Sequence, residues 1–103
     1  MSKDLVKLTV IVPAELENTL IESLLEMDPF IGAFTSIRVD GHGQSLTEAT
    51  TAERVSGRSA RLMLVAVLSP VRAKTVIDHI KASLRAPHSA WWVEPVLECG
   101  KFQ

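Results

Sequence analysis

The stretch RLMLVAVL at residues 61–68 decides the fold, because apolar side chains occupy both sides of what reads as one strand. Neighbouring side chains of a strand point to opposite faces of a sheet. The two predicted faces of this strand are both apolar, with Leu62, Leu64, Ala66 and Leu68 on one side and Met63, Val65 and Val67 on the other. Two helices of so small a domain cover only one face of a sheet. The sequence therefore predicts that the other face meets another subunit.

Two similar units make up the chain, and each consists of an apolar strand, a proline and an amphipathic helix. Strands are predicted at 5–12, 35–39, 61–68 and 90–96, and helices at about 14–27 and 70–84, where apolar residues recur at helical spacing. This order predicts an α+β, ferredoxin-like βαββαβ fold: a four-stranded antiparallel sheet with two helices on one face. Pro95 within the last predicted strand indicates an edge position or a bulge.

Composition limits the class of protein. The 103 residues are 47% hydrophobic and 22% charged, which favours one folded domain over residues 1–103. The formal net charge of -1 gives no basic excess for a nucleic acid. No signal peptide is read, and no apolar run approaches the ~20 residues that span a bilayer. The sequence predicts a cytoplasmic protein that is not itself inserted in a membrane.

A long polar segment, about 41–57, separates the second and third predicted strands. A hairpin at this place needs about two to five residues. Three of the five glycines, Gly41, Gly43 and Gly57, stand at the roots of this segment. Because long loops in small domains are usually functional or disordered, the sequence predicts a flexible loop that becomes ordered on a partner or ligand.

Three segments, DGHGQSL, ERVSGRSARL and WWVEPVLECGKF, in this order and spacing, resemble PII-like proteins of the nitrogen-regulatory PII superfamily. The match is closer to a branch of small bacterial proteins of uncharacterised function, often encoded beside heavy-metal efflux systems. The resemblance implies a non-enzymatic signalling homotrimer with a mobile T-loop at 41–57. A small effector would bind in the cleft between subunits, and the loop would control a partner such as a membrane transporter.

The candidate effector-binding residues lie at the loop roots and near the end of the chain: Gly41, His42, Gly43, Gln44, Arg58, Arg61, His88 and Lys101. The resemblance implies ADP, AMP, ATP or bicarbonate as effector. The segment RAPHSAWW has neither the glycine nor the lysine that hold ATP phosphates in PII proteins. Arginine side chains suit anions, but Arg58 and Arg61 could equally pair with Asp40 or Glu98 on neighbouring strands.

The alternative function is a copper- or zinc-binding tolerance or sensor protein, related to the divalent-cation-tolerance trimers. Its candidate ligands are His42, Glu98 and Cys99, and no CxxC or HxxxH spacing is present. A divalent metal would therefore need ligands gathered across the fold or across subunits. The turn IVPAEL after the first strand offers no glycine-rich phosphate cradle, so an acylphosphatase-like enzyme is not expected.

Overall fold

The computed structural model describes residues 4–29, 31–42, 58–85 and 88–103. The elements in chain order are β1 (Leu5–Pro13), a short 3-10 helix (Ala14–Leu16), α1 (Glu17–Leu25), β2 (Thr35–His42), β3 (Arg58–Leu68), α2 (Pro70–Ser83) and β4 (Ala90–Val96). The predicted loop began at residue 41, but Gly41 and His42 continue β2. They pair with Ser59 and Arg58 of β3, and residues 43–57 lie outside the described part.

The four strands form one antiparallel sheet in the order β2-β3-β1-β4. This order, with α1 after β1 and α2 after β3, is that of the predicted ferredoxin-like fold. The central strands are β1 and β3, and their register pairs Val10 with Leu64. Because β4 is an edge strand, Pro95 stands at the edge position that the sequence predicted.

The hydrophobic core lies between the helices and one face of the sheet. The even-numbered residues of β1 and β3 and the apolar stripes of both helices supply its buried side chains, among them Leu8, Val12, Leu62, Leu64, Ala66, Leu68, Leu20, Leu24, Val76 and Ile77. One apolar face of the 61–68 stretch is thus buried as predicted. The helices also touch through His79, whose Nε2 lies 2.8 Å from the Ser23 hydroxyl.

The other face of the sheet carries no helix and remains largely apolar. We call it the open face, with its central residues Thr9, Ile11, Ile37, Met63, Val65, Val67 and Trp92. Ile37, Val67 and Trp92 are exposed on it. Thr9 is only 2% exposed, and its hydroxyl has no hydrogen-bond partner among the described residues. This is the face that the sequence predicted to meet another subunit.

The first helix differs from its prediction at both ends. Pro13 stays extended (φ -54°, ψ 140°), so β1 runs one residue further than predicted and a single 3-10 turn precedes α1. The helix ends at Leu25 rather than at residue 27. Within the described ranges, no helix has the length and apolar content to cross a membrane.

The second helix begins with a side-chain cap. The hydroxyl of Ser69 accepts a hydrogen bond from the Arg72 N–H at 3.2 Å, and Pro70 occupies the first helical position. That N–H has no partner within the helix, and proline suits this place because its own N–H is not needed. The sequence SP at residues 69–70 therefore sets where α2 starts.

Removing this cap should cost a measurable part of the stability. We expect Ser69→Ala to lower the free energy of unfolding by about 1 kcal/mol, the usual value for a lost N-cap. Urea unfolding followed by circular dichroism measures it. Ser83→Ala, at the exposed last residue of α2, is the matched control and should change little. Equal effects of the two substitutions would contradict the role of the cap.

Candidate effector site

One end of the sheet brings together four parts of the chain that are distant in sequence. The register pairs His42 of β2 with Arg58 of β3, Pro13 of β1 with Arg61, and Ile11 with Ala90 of β4. Both ends of the predicted loop and the turn before β4 therefore lie at this end. The resemblance to PII-like proteins implied an effector at the loop roots, and the topology places these segments together.

Arg61 links the segments at this end. It is only 6% exposed, although it lies on the same side of β3 as Met63 and Val65. Its Nε donates to the Ser59 hydroxyl at 3.2 Å, and its Nη1 donates to the backbone carbonyl of His88 at 3.2 Å. The side chain thus joins the start of β3 to the turn before β4, past the end of β1.

The alternative hypothesis for Arg61, an ion pair with Asp40 or Glu98, is wrong for the described residues, where the guanidinium bonds only to a hydroxyl and a carbonyl. A guanidinium has five N–H donors, and Nη2 makes no hydrogen bond within the described part. A cation that leaves water is stable when an anion or several acceptors face it. The site therefore offers a fixed positive charge with spare donors, which suits an oxyanion.

His88 contributes its backbone carbonyl to this arrangement. Its φ of 61° lies in the left-handed region, which histidine adopts more readily than most residues other than glycine. This conformation belongs to the turn whose carbonyl accepts from Arg61, and the side chain is exposed. The sequence predicted that the His88 side chain binds the effector. This side chain is exposed, and its role stays a prediction.

The other predicted effector residues divide into three groups. Gly41 and His42 end β2 beside Ser59 and Arg58, at the same end as Arg61. Gly43, Gln44 and the side chain of Arg58 lie outside the described part. Lys101 follows β4, whose last residue, Val96, pairs with Leu5 at the opposite end of the sheet. Within one chain, Lys101 therefore does not join the Arg61 end.

The predicted metal ligands are not brought together by the fold of one chain. His42 ends β2, at one edge and one end of the sheet, whereas Glu98 and Cys99 follow β4 at the other edge and the other end. Cys99 is a free, exposed cysteine. Among the described residues, no group of three His, Cys, Asp or Glu side chains could hold a metal ion. These three ligands could meet only across subunits.

Sequence reasoning missed Ser59. Ser59 stands two residues before Arg61, and this spacing puts both side chains on one face of a strand, so the pattern could have indicated their contact. The two tryptophans of β4 point to opposite faces of the sheet, and both are exposed. Trp91 lies on the helix side of β4, and Trp92 lies on the open face, where its indole donates to Glu94.

The fold of this chain is similar to those of several solved structures. It superposes with a TM-score of 0.74 on a DUF3240 family protein from Shewanella baltica, at 13% identity and 100% coverage of both chains. It also matches CPII, a nitrogen regulatory PII-like protein from Thiomonas intermedia bound to ADP, AMP and bicarbonate (TM-score 0.66, 16% identity, 91% of each chain). The B. subtilis GlnK–ATP complex gives a TM-score of 0.64 at 21% identity, over 93% of this chain and 84% of GlnK.

These similarities confirm the PII-like, ferredoxin-like fold that the sequence predicted. At such low identity they establish the fold alone. No curated protein matches the chain by sequence. The model of the DUF3240 family, described as a protein of unknown function, matches residues 1–103. The chain therefore belongs to the DUF3240 family, and its fold is that of the PII-like proteins.

Proposed function

We propose that this protein is a PII-like regulator, without catalytic activity, that binds a small anionic effector at the Arg61 end of the sheet and passes this state to a partner through residues 43–57. The observation that carries the proposal is Arg61, a buried cation with spare donors that bridges Ser59 at the loop root and the His88 carbonyl. An anion that reaches this guanidinium would act directly on the segment that leads into the loop.

The chemistry of the site favours an oxyanion as the effector. Nucleotide phosphates and bicarbonate both present the oxygen acceptors that a guanidinium binds. CPII holds ADP, AMP and bicarbonate, and GlnK holds ATP, on the same fold. We propose an adenine nucleotide or bicarbonate as the effector of this protein.

The open face supports a homotrimer as the working form. A subunit interface would cover its exposed apolar residues. It could also supply a hydrogen-bond partner for the buried Thr9 hydroxyl, which has none among the described residues. A second copy on this face could also bring its Lys101 to the Arg61 end of the first copy. Within one chain, Lys101 lies beyond the other end of the sheet. The effector site would then form in the cleft between subunits.

Residues 43–57 would act as the switch. An effector shifts a loop between two states only if it binds one state more tightly than the other. Because Arg61 lies beside the loop root, an anion bound to it would favour one state of the loop. By family resemblance we propose a cytoplasmic location and a membrane transporter, for example one for metal efflux, as the partner.

Native mass spectrometry of the full chain tests the proposal, alone and with ATP, ADP, AMP, bicarbonate, zinc or copper. We expect a trimer that takes up to three nucleotides, or a bicarbonate ion in each site. Uptake of zinc or copper without any anion would instead support the metal-binding alternative, with His42 of one subunit near Glu98 or Cys99 of another. A monomer at micromolar concentration would contradict the intersubunit site.

Replacing Arg61 should separate binding from folding. We expect Arg61→Met to weaken the effector at least about tenfold, because a hydrogen bond to a charged group contributes about 1.5–3 kcal/mol. Isothermal titration calorimetry measures the affinity, with circular dichroism to verify the fold. Arg38→Met is the control: Arg38 bonds Glu17 on the helix side of β2, away from the site. Equal loss in both variants would refute the assignment.

A further inference from the structure

A cavity of about 310 Å³ lies on the helix side of the sheet, between α2 and β4, and differs in place and chemistry from the Arg61 site. Its described walls come from β1, α2, the turn before β4 and β4 itself: Val10, Val12, Ile77, Ile80, Lys81, Leu84, Ser89, Ala90 and Trp91. This volume is at the lower end of the range for small-molecule sites in proteins.

The walls combine an apolar interior with one positive charge. Val10, Val12 and Ile77 are buried side chains of the core, so the deep part of the cavity is hydrophobic. Lys81 stands over the Trp91 ring, with Nζ 5.5 Å from the ring centroid. This contact holds the ammonium group near the cavity by attraction to the ring face.

The positive charge at the cavity has no acidic counterpart among the described wall residues. None of those residues is Asp or Glu. Asp78, an acidic residue of the same helix, pairs with Lys74 at 3.3 Å. The cavity therefore presents a positive charge above an apolar interior. This combination disfavours cations and favours a molecule that has an apolar body and a negative charge at one end.

We propose that this cavity binds a small monocarboxylate with an apolar body, such as a short fatty acid or an aromatic acid. The apolar body would lie against Ile80, Leu84 and Trp91, and the carboxylate would remain at the mouth beside the Lys81 ammonium. Burial of apolar surface supplies most of the affinity, and the charge pair gives the preference for an acid.

The cavity shares one stretch of backbone with the Arg61 site. Ser89 and Ala90 line the cavity, and they directly follow His88, whose carbonyl accepts from Arg61 on the other side of the sheet. Binding of the carboxylate would therefore be sensed at His88. The proposal itself does not depend on which effector, if any, binds near Arg61.

Titration of the ¹⁵N-labelled full chain with octanoate, below its micelle concentration, tests the proposal by NMR. We expect saturable shifts of the Trp91 indole N–H and of the Ala90 and His88 amides. The Trp92 indole N–H, on the open face, is the internal reference and should shift little. Octanamide has a similar apolar body without the charge, and should bind more weakly.

Lys81→Met is the decisive variant, because it keeps an apolar side chain of similar length. It should weaken octanoate by up to about fivefold, the upper end of what an exposed ion pair contributes, and leave octanamide unchanged. Arg38→Met, which also removes one positive charge but lies on β2 at the opposite edge of the sheet, should alter neither affinity. The proposal fails if Trp91 shows no saturable shift, if the shifts centre on Trp92, or if octanamide binds as tightly as octanoate.

Discussion

Val65→Glu should convert the oligomer to monomers of unchanged secondary structure. Val65 lies at the centre of the open face, opposite Thr9 of β1 and Thr35 of β2. In a single chain the new carboxylate faces water and the core is untouched. In a trimer it would be buried once per subunit without a partner, and the desolvation of a carboxylate costs several kcal/mol. Native mass spectrometry and analytical ultracentrifugation measure the change.

Val71→Glu is the control for this experiment. Val71 is 76% exposed in the first turn of α2, on the other side of the molecule. A glutamate there adds the same charge and is favoured by the helix dipole. The control variant should keep the mass of the wild type. If Val65→Glu also keeps it, the open face is not the subunit interface.

Leu64→Ala should cause a large loss of stability. Leu64 is 0% exposed at the centre of β3, where it pairs with Val10 and packs beneath the helices. Truncating a fully buried leucine costs about 2–5 kcal/mol, because it removes apolar contacts and leaves a cavity. Urea unfolding at one fixed protein concentration measures the loss, since subunit association contributes to the apparent stability.

Leu25→Ala removes the same atoms from a different place. Leu25 is the last residue of α1 and is 53% exposed, so we expect a loss below about 1 kcal/mol. The difference between the two leucines reports how tightly the core is packed. A similar loss for both would show that Leu64 does not occupy the centre of the core.

The fold could be predicted because its signals are local. Alternation within residues 61–68 defines two sides of a strand without any knowledge of its neighbours, and Pro95 indicates an edge through its own chemistry. The ends of the strands and helices were predicted less accurately than their order. Pro13 was expected to open a helix, and it instead ends a strand, since its φ suits both an extended chain and a first helical turn.

The site could be predicted only in outline, because its contacts depend on strand register. The hydrogen bond from Arg61 to His88 joins residues 27 positions apart, past a third strand that neither residue belongs to. The sequence left an anionic ligand and an ion pair with Asp40 or Glu98 equally open for this arginine. Likewise, His42 and Cys99 have suitable chemistry for a metal. The strand order and register nevertheless place them at opposite edges and opposite ends of the sheet.

Pro95 has a consequence for how copies of this chain associate. An exposed edge strand is a template on which further chains add, and repeated addition at two edges gives fibres. The edge formed by β4 has no N–H at Pro95 to offer to an incoming strand, and the opposite edge formed by β2 carries the charged Arg38 and Asp40. Edge-to-edge addition of strands into an open polymer is therefore disfavoured at both edges of the sheet. The open face is left as the surface through which copies could associate.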